Sequence, residues 1–402
     1  MMKMELTRNR LPARGILLSK ALPLTLTLTL ALLILLPSAA LPAEGEAAAP
    51  IVLTGDFKSA VVVDAETGLV LAGSNQNALR QPASMLKMMT ELIVLEHVAE
   101  GELKMDDPVM VSAKASQMGG SQVYLKHGES FSVVELLHAL AIHSANDAAV
   151  ALAEHVAGST DAFVDLMNLK ARDMGMNDTV FHTVHGLPPA WKQEPDITTA
   201  SDMAILARKL LHYPEALEWA STKTAPFRDG KFTLYNPNKL VGKYRGLDGL
   251  KTGYTGPAGF CITATATQKG KRLISVVMGC STDKARATET TRLLTYGFNM
   301  YEQIPVISAA GEALDLSLTV KGGKKKEVSV AYGDSLTVSV PKNRKGDLII
   351  QNDVSTPVQA PLALGLEVGR AVVLLDGVEL GSVPIVTLEE VAKGNWLNRL
   401  LN

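Results

Sequence analysis

The stretch Ser84 to Ala99, SMLKMMTELIVLEHVA, constrains the fold more than any other part of the sequence. Its apolar residues fill every turn, so a helix there has no broad face for water and must be covered on most sides. It therefore needs a layered domain around it. Ser59 to Asn75 (SAVVVDAETGLVLAGSN) reads as strand, turn at Glu66-Thr67-Gly68, and strand. Residues 131–157 read as a helix, a loop at His143–Asn146 and a second, alanine-rich helix; a further helix fits Asp161 to Met174. Thr199-Ala200-Ser201-Asp202 opens another, to about His212, with short polar residues where an N-cap belongs and Asp202 as the expected cap. Strands Gly259–Thr267 and Arg272–Gly279, joined at Gln268-Lys269-Gly270-Lys271, precede a helix from about Asp283 to Tyr301. This order predicts an α/β (α+β) domain over residues 51–305, with an antiparallel sheet between helical layers.

Beyond about Ile304 the texture changes. LDLSLTV, EVSVAY, SLTVSV, DLIIQ and RAVVLLDGVELGSVPIV alternate apolar with polar residues between Gly, Lys and Asp turns, which predicts a small all-β domain over residues 306–386. Lys324-Lys325-Lys326 reads as a solvated hairpin tip. Residues 387–402 read as an amphipathic helix, with Leu388, Ala392, Trp396 and Leu400 on one stripe; it would either lie on a membrane surface or pack on its own domain.

The chain begins with Lys3, Arg8, Arg10, Arg14 and Lys20, an apolar run from Ala21 to Leu36, and the small residues Ser38-Ala39-Ala40. That order reads as a secretory signal peptide over residues 1–43, followed by a linker at 44–50. Without residues 1–43, 34 basic residues face 40 acidic ones, a net charge of −6. A mildly acidic exported protein is not held to nucleic acid by bulk electrostatics, and an anionic substrate would need locally placed cations. The two cysteines, Cys261 and Cys280, are expected to face each other across the last two strands of the first domain. Directly opposed cysteines rarely meet disulfide geometry without strain, so two buried thiols are expected rather than a bridge. The eight histidines and two cysteines form no metal-ligand spacing, so neither metal nor cofactor is expected.

Acyl transfer from a peptide needs a nucleophile, a base, an acid for the leaving amine, and donors for the oxyanion. Ser-x-x-Lys at a helix start supplies two of these, because side chains three apart share a face. A lysine serves as base only where burial or a neighbouring cation lowers its pKa. The pattern occurs three times, at Ser84–Lys87, Ser281–Lys284 and Ser339–Lys342. The third lies in a predicted strand, where positions three apart face opposite ways, and the second reads as a helix cap. Only Ser84-Met85-Leu86-Lys87 opens the long buried helix. Ser144-Ala145-Asn146 and Lys251-Thr252-Gly253 are the only Ser-x-Asn and Lys-Thr-Gly segments, and they follow in that order.

This trio resembles that of the penicillin-binding proteins and serine β-lactamases. The surroundings are similar to the low-molecular-mass D-alanyl-D-alanine carboxypeptidases from about Ile51 to Tyr301, most specifically at Asp248-Gly249-Leu250-Lys251-Thr252-Gly253-Tyr254-Thr255. The family commonly has Ser-Gly-Asn where this chain has Ser-Ala-Asn. The resemblance implies that Ser84 attacks the penultimate D-alanine carbonyl of a peptidoglycan stem peptide ending in D-Ala-D-Ala, with Lys87 taking its proton. It implies that Ser144 relays a proton to the leaving D-alanine, tuned by Lys251, and that Asn146 holds the Lys87 side and the substrate amide. The backbone N–H groups of Ser84 and Tyr254 would form the oxyanion hole at the end of the Lys251-Thr252-Gly253 run, and Thr252 and Arg286 would bind the terminal carboxylate. β-Lactam antibiotics would act as inhibitors.

His185 reads as a turn residue. A class A β-lactamase would carry a Glu-x-x-Leu-Asn segment between Ser144 and Lys251; Glu194, followed by Pro-Asp-Ile-Thr, does not supply it. An endopeptidase or transpeptidase with the same acyl-enzyme, and a silent envelope scaffold whose β domain docks a partner, stay open at this level. The expected location is the cell envelope, at the outer face of the cytoplasmic membrane.

Overall fold

The computed structural model describes residues 51–188 and 193–395. The chain starts with strands β1 (Ile51–Val52), β2 (Ser59–Asp64) and β3 (Val70–Ser74), then a 3-10 turn at Ala83–Leu86 and helix α1 (Lys87–Ala99). Strand β4 (Pro108–Met110), the short helix α2 (Ala113–Ser116) and β5 (Ser130–Ser132) lead to α3 (Val133–His143), α4 (Asn146–Ala157), α5 (Thr160–Asp173), α6 (Ala200–Leu210) and α7 (Pro214–Ser221). A hairpin of β6 (Thr224–Phe227) and β7 (Phe232–Tyr235) precedes β8 (Leu247–Thr255), β9 (Gly259–Gln268), β10 (Lys271–Cys280) and α8 (Asp283–Met300).

Six strands form the central sheet in the order β1-β3-β2-β10-β9-β8. Alternation along β2 divides its side chains between two cores. Val61 and Val63 join the large core under α1, α3, α4 and α6, whereas Ala60 and Val62 join the smaller one under α8. The sheet thus lies between helical layers, as the sequence predicts, and α1 is buried through Lys87 to Leu95.

Local chemistry sets several boundaries. Ser132 and Glu135 form a reciprocal capping box at the start of α3. Thr282 caps α8 by accepting the Ala285 N–H at 3.0 Å, so the second Ser-x-x-Lys segment is a cap. Asp202 is not the cap of α6. Thr199 fills that position by accepting the Asp202 N–H, and the Asp202 carboxylate instead accepts from Asp178 N and Thr179 Oγ1.

The β9–β10 turn is tighter than the cysteine expectation needs. Gln268 pairs with Lys271 across Lys269-Gly270, both at positive φ, the two-residue hairpin turn suited to strand twist. This register and a bulge near the strand end set Cys280 opposite Phe260, so the cysteines sit on neighbouring strands without facing each other. Both are free and buried, in the two different cores.

The remaining strands are β11 (Tyr301–Ile307), β12 (Ala313–Lys321), β13 (Glu327–Tyr332), β14 (Leu336–Pro341), β15 (Ile349–Val354), β16 (Val358–Gln359), β17 (Glu367–Leu375) and β18 (Val378–Thr387). β11 pairs with β14, and six strands order as β15-β17-β18-β13-β12-β16 around their own apolar core. Pairing starts at Tyr301, ahead of residue 306, because α8 runs straight into β11. The expected C-terminal helix is absent over residues 388–395. Leu388 N donates to Ser329 O, and Val391 and Lys393 make bridges to Leu362 and Gly323. Backbone partners on the sheet take the bonds that a helix would need. Residues 396–402 of that expected helix, and the signal peptide and linker over 1–50, lie outside the described residues.

Candidate active site

Ser84 sits in the 3-10 turn and Lys87 is the first residue of α1, so the motif spans the joint between the two. Ala83, just before Ser84, has φ 49 and is buried, a backbone position that few non-glycine residues occupy and that clusters at functional sites. The Lys87 Nζ donates to Ser84 Oγ at 2.9 Å and to His185 O at 2.9 Å. Lys87 has no exposure to solvent, and burial, followed by the charge of Lys251, pushes its pKa well below the ordinary lysine value. Both conditions for a lysine base are therefore present.

Ser144 ends α3 in the left-handed region, with φ 64, and Asn146 starts α4. This kink brings both residues to the cleft. Asn146 Nδ2 donates to Gly119 O at 2.6 Å, while its buried Oδ1 has no partner among the described residues. Contact of Asn146 with the Lys87 side is thus not among its bonds; its free acceptor is available to an incoming amide.

Lys251-Thr252-Gly253 lies within β8, the edge strand of the sheet, rather than in a segment leading to β9. Gly253 runs against the Ser84 turn. A Cβ there would stand 2.8 Å from Pro82 O and 3.0 Å from Ser84 N, so only glycine allows this approach. Lys251 is buried, its Nζ donates to Thr252 O at 3.0 Å, and burial lowers its pKa to about 7.

Ser84, Ser144, Asn146, Thr252, Gly253, Tyr254 and Arg286 line one cleft of about 440 Å³. Lys87 and Lys251 lie buried behind its wall. Tyr254 is exposed at the rim and stacks on Phe260, with ring centroids 4.2 Å apart.

The family model described as D-alanyl-D-alanine carboxypeptidase matches residues 46–282, more than half of the chain. The chain belongs to the D-alanyl-D-alanine carboxypeptidase family. Residues 301–393 of the carboxypeptidase match the C-terminal domain of penicillin-binding protein 5. It is 37% identical to D-alanyl-D-alanine carboxypeptidase DacF of Bacillus subtilis over 87% of this chain and 89% of that one. Penicillin-binding protein 5 of Haemophilus influenzae, at 31% identity, superposes with a TM-score of 0.76 over 85% of this chain and 99% of its own. Penicillin-binding protein D2 of Listeria monocytogenes, solved in its ampicillin-bound form, is 34% identical with a TM-score of 0.56 over 61% of this chain and 98% of its own.

Arg286 of the carboxypeptidase is held before any substrate arrives. It forms an ion pair with Asp283 and donates Nη1 to Cys261 O at 3.2 Å, with its guanidinium over the Phe260 ring. It still lines the cleft. His143 and Tyr235 line it too, and Tyr235 N donates to His143 Nδ1 at 3.1 Å. That bond ties the β6–β7 hairpin to the end of α3.

Sequence reasoning missed three buried acids. Asp147 accepts the N–H groups of Val123 and Leu125, fixing the segment that offers Gly119 O to Asn146. Asp196 accepts from His182 N, Thr183 N and Thr183 Oγ1, fixing the loop that offers His185 O to Lys87. Glu91 lies one helical turn after Lys87 and is 4% exposed. An acid inside the apolar run of α1 was its only signal. His185 itself turns the loop, accepting Leu187 N–H at Nδ1, and burial drives its pKa down to about 4. Among the described residues, no group of three His, Cys, Asp or Glu side chains is gathered as for a metal ion.

Proposed function

We propose that Ser84 carries out the carboxypeptidase reaction by removing the terminal D-alanine of a peptidoglycan stem peptide through an acyl-enzyme. The observation that carries this reading is the buried Lys87 Nζ, 2.9 Å from Ser84 Oγ and depressed in pKa. In its neutral form Lys87 takes the Ser84 proton as Oγ attacks the penultimate carbonyl carbon. The negative charge on the carbonyl oxygen is met by the N–H groups of Ser84 and Tyr254, which the close approach of Gly253 to the Ser84 turn supports. The proton then passes by way of Ser144, beside the charge of Lys251, to the nitrogen of the departing D-alanine. Thr252 and Arg286 hold that residue's carboxylate, and the Asn146 Oδ1 accepts a substrate N–H. Water, deprotonated by the same route, releases the shortened peptide.

A β-lactam enters the same path and acylates Ser84. No Glu-x-x-Leu-Asn segment stands between Ser144 and Lys251 to activate water against that adduct, so it persists. Export by residues 1–43, and work in the envelope outside the cytoplasmic membrane, follow from their basic, apolar and small-residue order and suit a peptidoglycan substrate. Trp396, Leu397, Leu400 and Leu401 carry what is left of the membrane-surface reading; vesicle flotation with and without residues 396–402 tests it. Among the described residues no helix is long and apolar enough to cross a membrane.

The test is D-alanine release from a diacylated Lys-D-Ala-D-Ala peptide by the wild type and Ser84→Ala. Release that is abolished by the substitution is expected. Penicillin labelling of Ser84 without release would move the activity to an endopeptidase or transpeptidase.

A further inference from the structure

The loop from Thr183 to Leu187 packs against the nucleophile's turn and is tied down along its whole length. Val184 O accepts from Thr90 Oγ1 of α1 at 3.2 Å, His185 O accepts from Lys87 Nζ at 2.9 Å, and Leu187 N donates to His185 Nδ1 at 3.1 Å. Gly186, at φ 77, presses on the Ser84 turn: a Cβ there would stand 2.2 Å from Ala83 O and 3.0 Å from Ser84 N. The hub of the loop is the Thr183 hydroxyl. It accepts from Gly186 N at 2.8 Å and donates to Asp196 Oδ2 at 2.7 Å. Asp196 is 5% exposed, and its Oδ1 accepts from His182 N at 2.6 Å and Thr183 N at 2.9 Å. In all three bonds the carboxyl is the acceptor, the pattern of its ionised form. Burial raises the Asp196 pKa, and these bonds work against that rise.

The His185 C=O and the Gly186 N–H belong to one peptide group, which is planar. A line of bonds therefore runs without a break from Lys87 Nζ through His185 O, the peptide plane, Gly186 N and Thr183 Oγ1 to the Asp196 carboxylate. Bonds joined in this way polarise one another, and turning the plane moves both of its ends together. We infer that Thr183, anchored on Asp196, is a positioning residue for the reaction: its hydroxyl fixes the His185–Gly186 peptide plane, and the His185 carbonyl thereby aims the Lys87 amine at Ser84. The inference rests on Lys87 serving as the base, as proposed above. A neutral amine has two N–H bonds and one lone pair. With one N–H held by His185 O, the lone pair is confined to directions that include the Ser84 hydroxyl. Without the Thr183 hydroxyl the plane is free to turn, Lys87 loses its fixed acceptor, and proton transfer from Ser84 slows. The groups that hold the substrate, Thr252, Arg286 and Asn146, lie on β8, α8 and α4, so binding is spared.

The experiment compares the wild type with Thr183→Val, Thr183→Ser and Asp196→Asn. It measures the acylation rate with a fluorescent penicillin, kcat and KM for D-alanine release from a diacylated Lys-D-Ala-D-Ala peptide, and the thermal transition of each protein. Thr183→Val, equal in shape but without the hydroxyl, is expected to lower acylation and kcat about 10- to 100-fold while KM stays near the wild-type value. Thr183→Ser, which keeps the hydroxyl, is expected to restore both rates to within about 3-fold of wild type. Asp196→Asn keeps an oxygen for the two backbone N–H groups but turns a donor toward the Thr183 hydroxyl. It is expected to follow Thr183→Val, and carries the test should that variant not fold. Wild-type acylation and kcat in either folded variant, an equal loss in Thr183→Ser, or a loss confined to KM would overturn the inference and leave Thr183 a residue of loop stability. A wild type that penicillin does not acylate would instead overturn the reading of Ser84 and Lys87 on which the inference rests.

Discussion

Gly253 is a tight point of the site, because its Cα faces the backbone of the Ser84 turn with no room for a methyl group. Gly253→Ala must push β8 away from Ser84 N, which widens the oxyanion position. The expected result is a fall of about 10- to 100-fold in acylation by a fluorescent penicillin, with a cooperative thermal transition retained. At Asp147 the weight falls on stability. Asp147→Ala strands the N–H groups of Val123 and Leu125, at an expected cost of about 2–3 kcal/mol by denaturant unfolding. Glu91 gives a pH effect of opposite sign to an ordinary carboxylate. Its folded-state pKa, about 8, lies above the unfolded value, so its contribution is present at low pH and is lost as pH rises through about 8. Glu91→Gln should therefore gain thermal stability relative to wild type as pH is raised across that window. An unchanged difference between the two proteins would contradict the raised pKa.

At the scale of elements, the β6–β7 hairpin contributes a wall of the cleft through Tyr235. Its tip is clamped by Arg228, which bonds both carboxylate oxygens of Glu129, donates to Tyr124 O and lies over the Phe131 ring. Its base is held by His143. The Arg228 guanidinium pulls Glu129 down to about 2, so this clamp contributes above the usual carboxylate range and is lost as pH falls through about 2. Arg228→Ala should cost about 1–2 kcal/mol and raise KM for the peptide more than it lowers kcat. The sequence carried no sign of this wall. β6 and β7 are four residues each, and FRDGKF marks a turn only once its flanks are known to pair. α1, α3, α6 and α8 were legible because burial on most faces, a capping box and threonine caps are local signals. So was the trio of motifs, whose spacing needs no tertiary knowledge. The strand character of Lys251-Thr252-Gly253 was hidden because an edge strand rich in glycine lacks alternation. Asp202 misled because its carboxylate is drawn away by Thr179, a partner far along the chain.

For the whole molecule, the two domains meet through a buried polar contact. Asp64, at the end of β2, accepts three bonds within its own turn at Oδ1 and one from Ser339 Oγ, on β14, at 2.5 Å at Oδ2. Tyr301 Oη adds a bond to Leu71 O. Ser339→Ala leaves Asp64 Oδ2 short of its donor, and is expected to cost about 1–2 kcal/mol and to split thermal unfolding toward two transitions without altering penicillin acylation. A single unchanged transition would mean that the contact does not couple the domains. The most direct test of the central claim is peptide-mapping mass spectrometry of the protein after reaction with benzylpenicillin. A penicilloyl adduct on the peptide that holds Ser84, persisting through digestion and absent from Ser84→Ala, is the predicted result. An adduct on another residue, or one retained by Ser84→Ala, would contradict it.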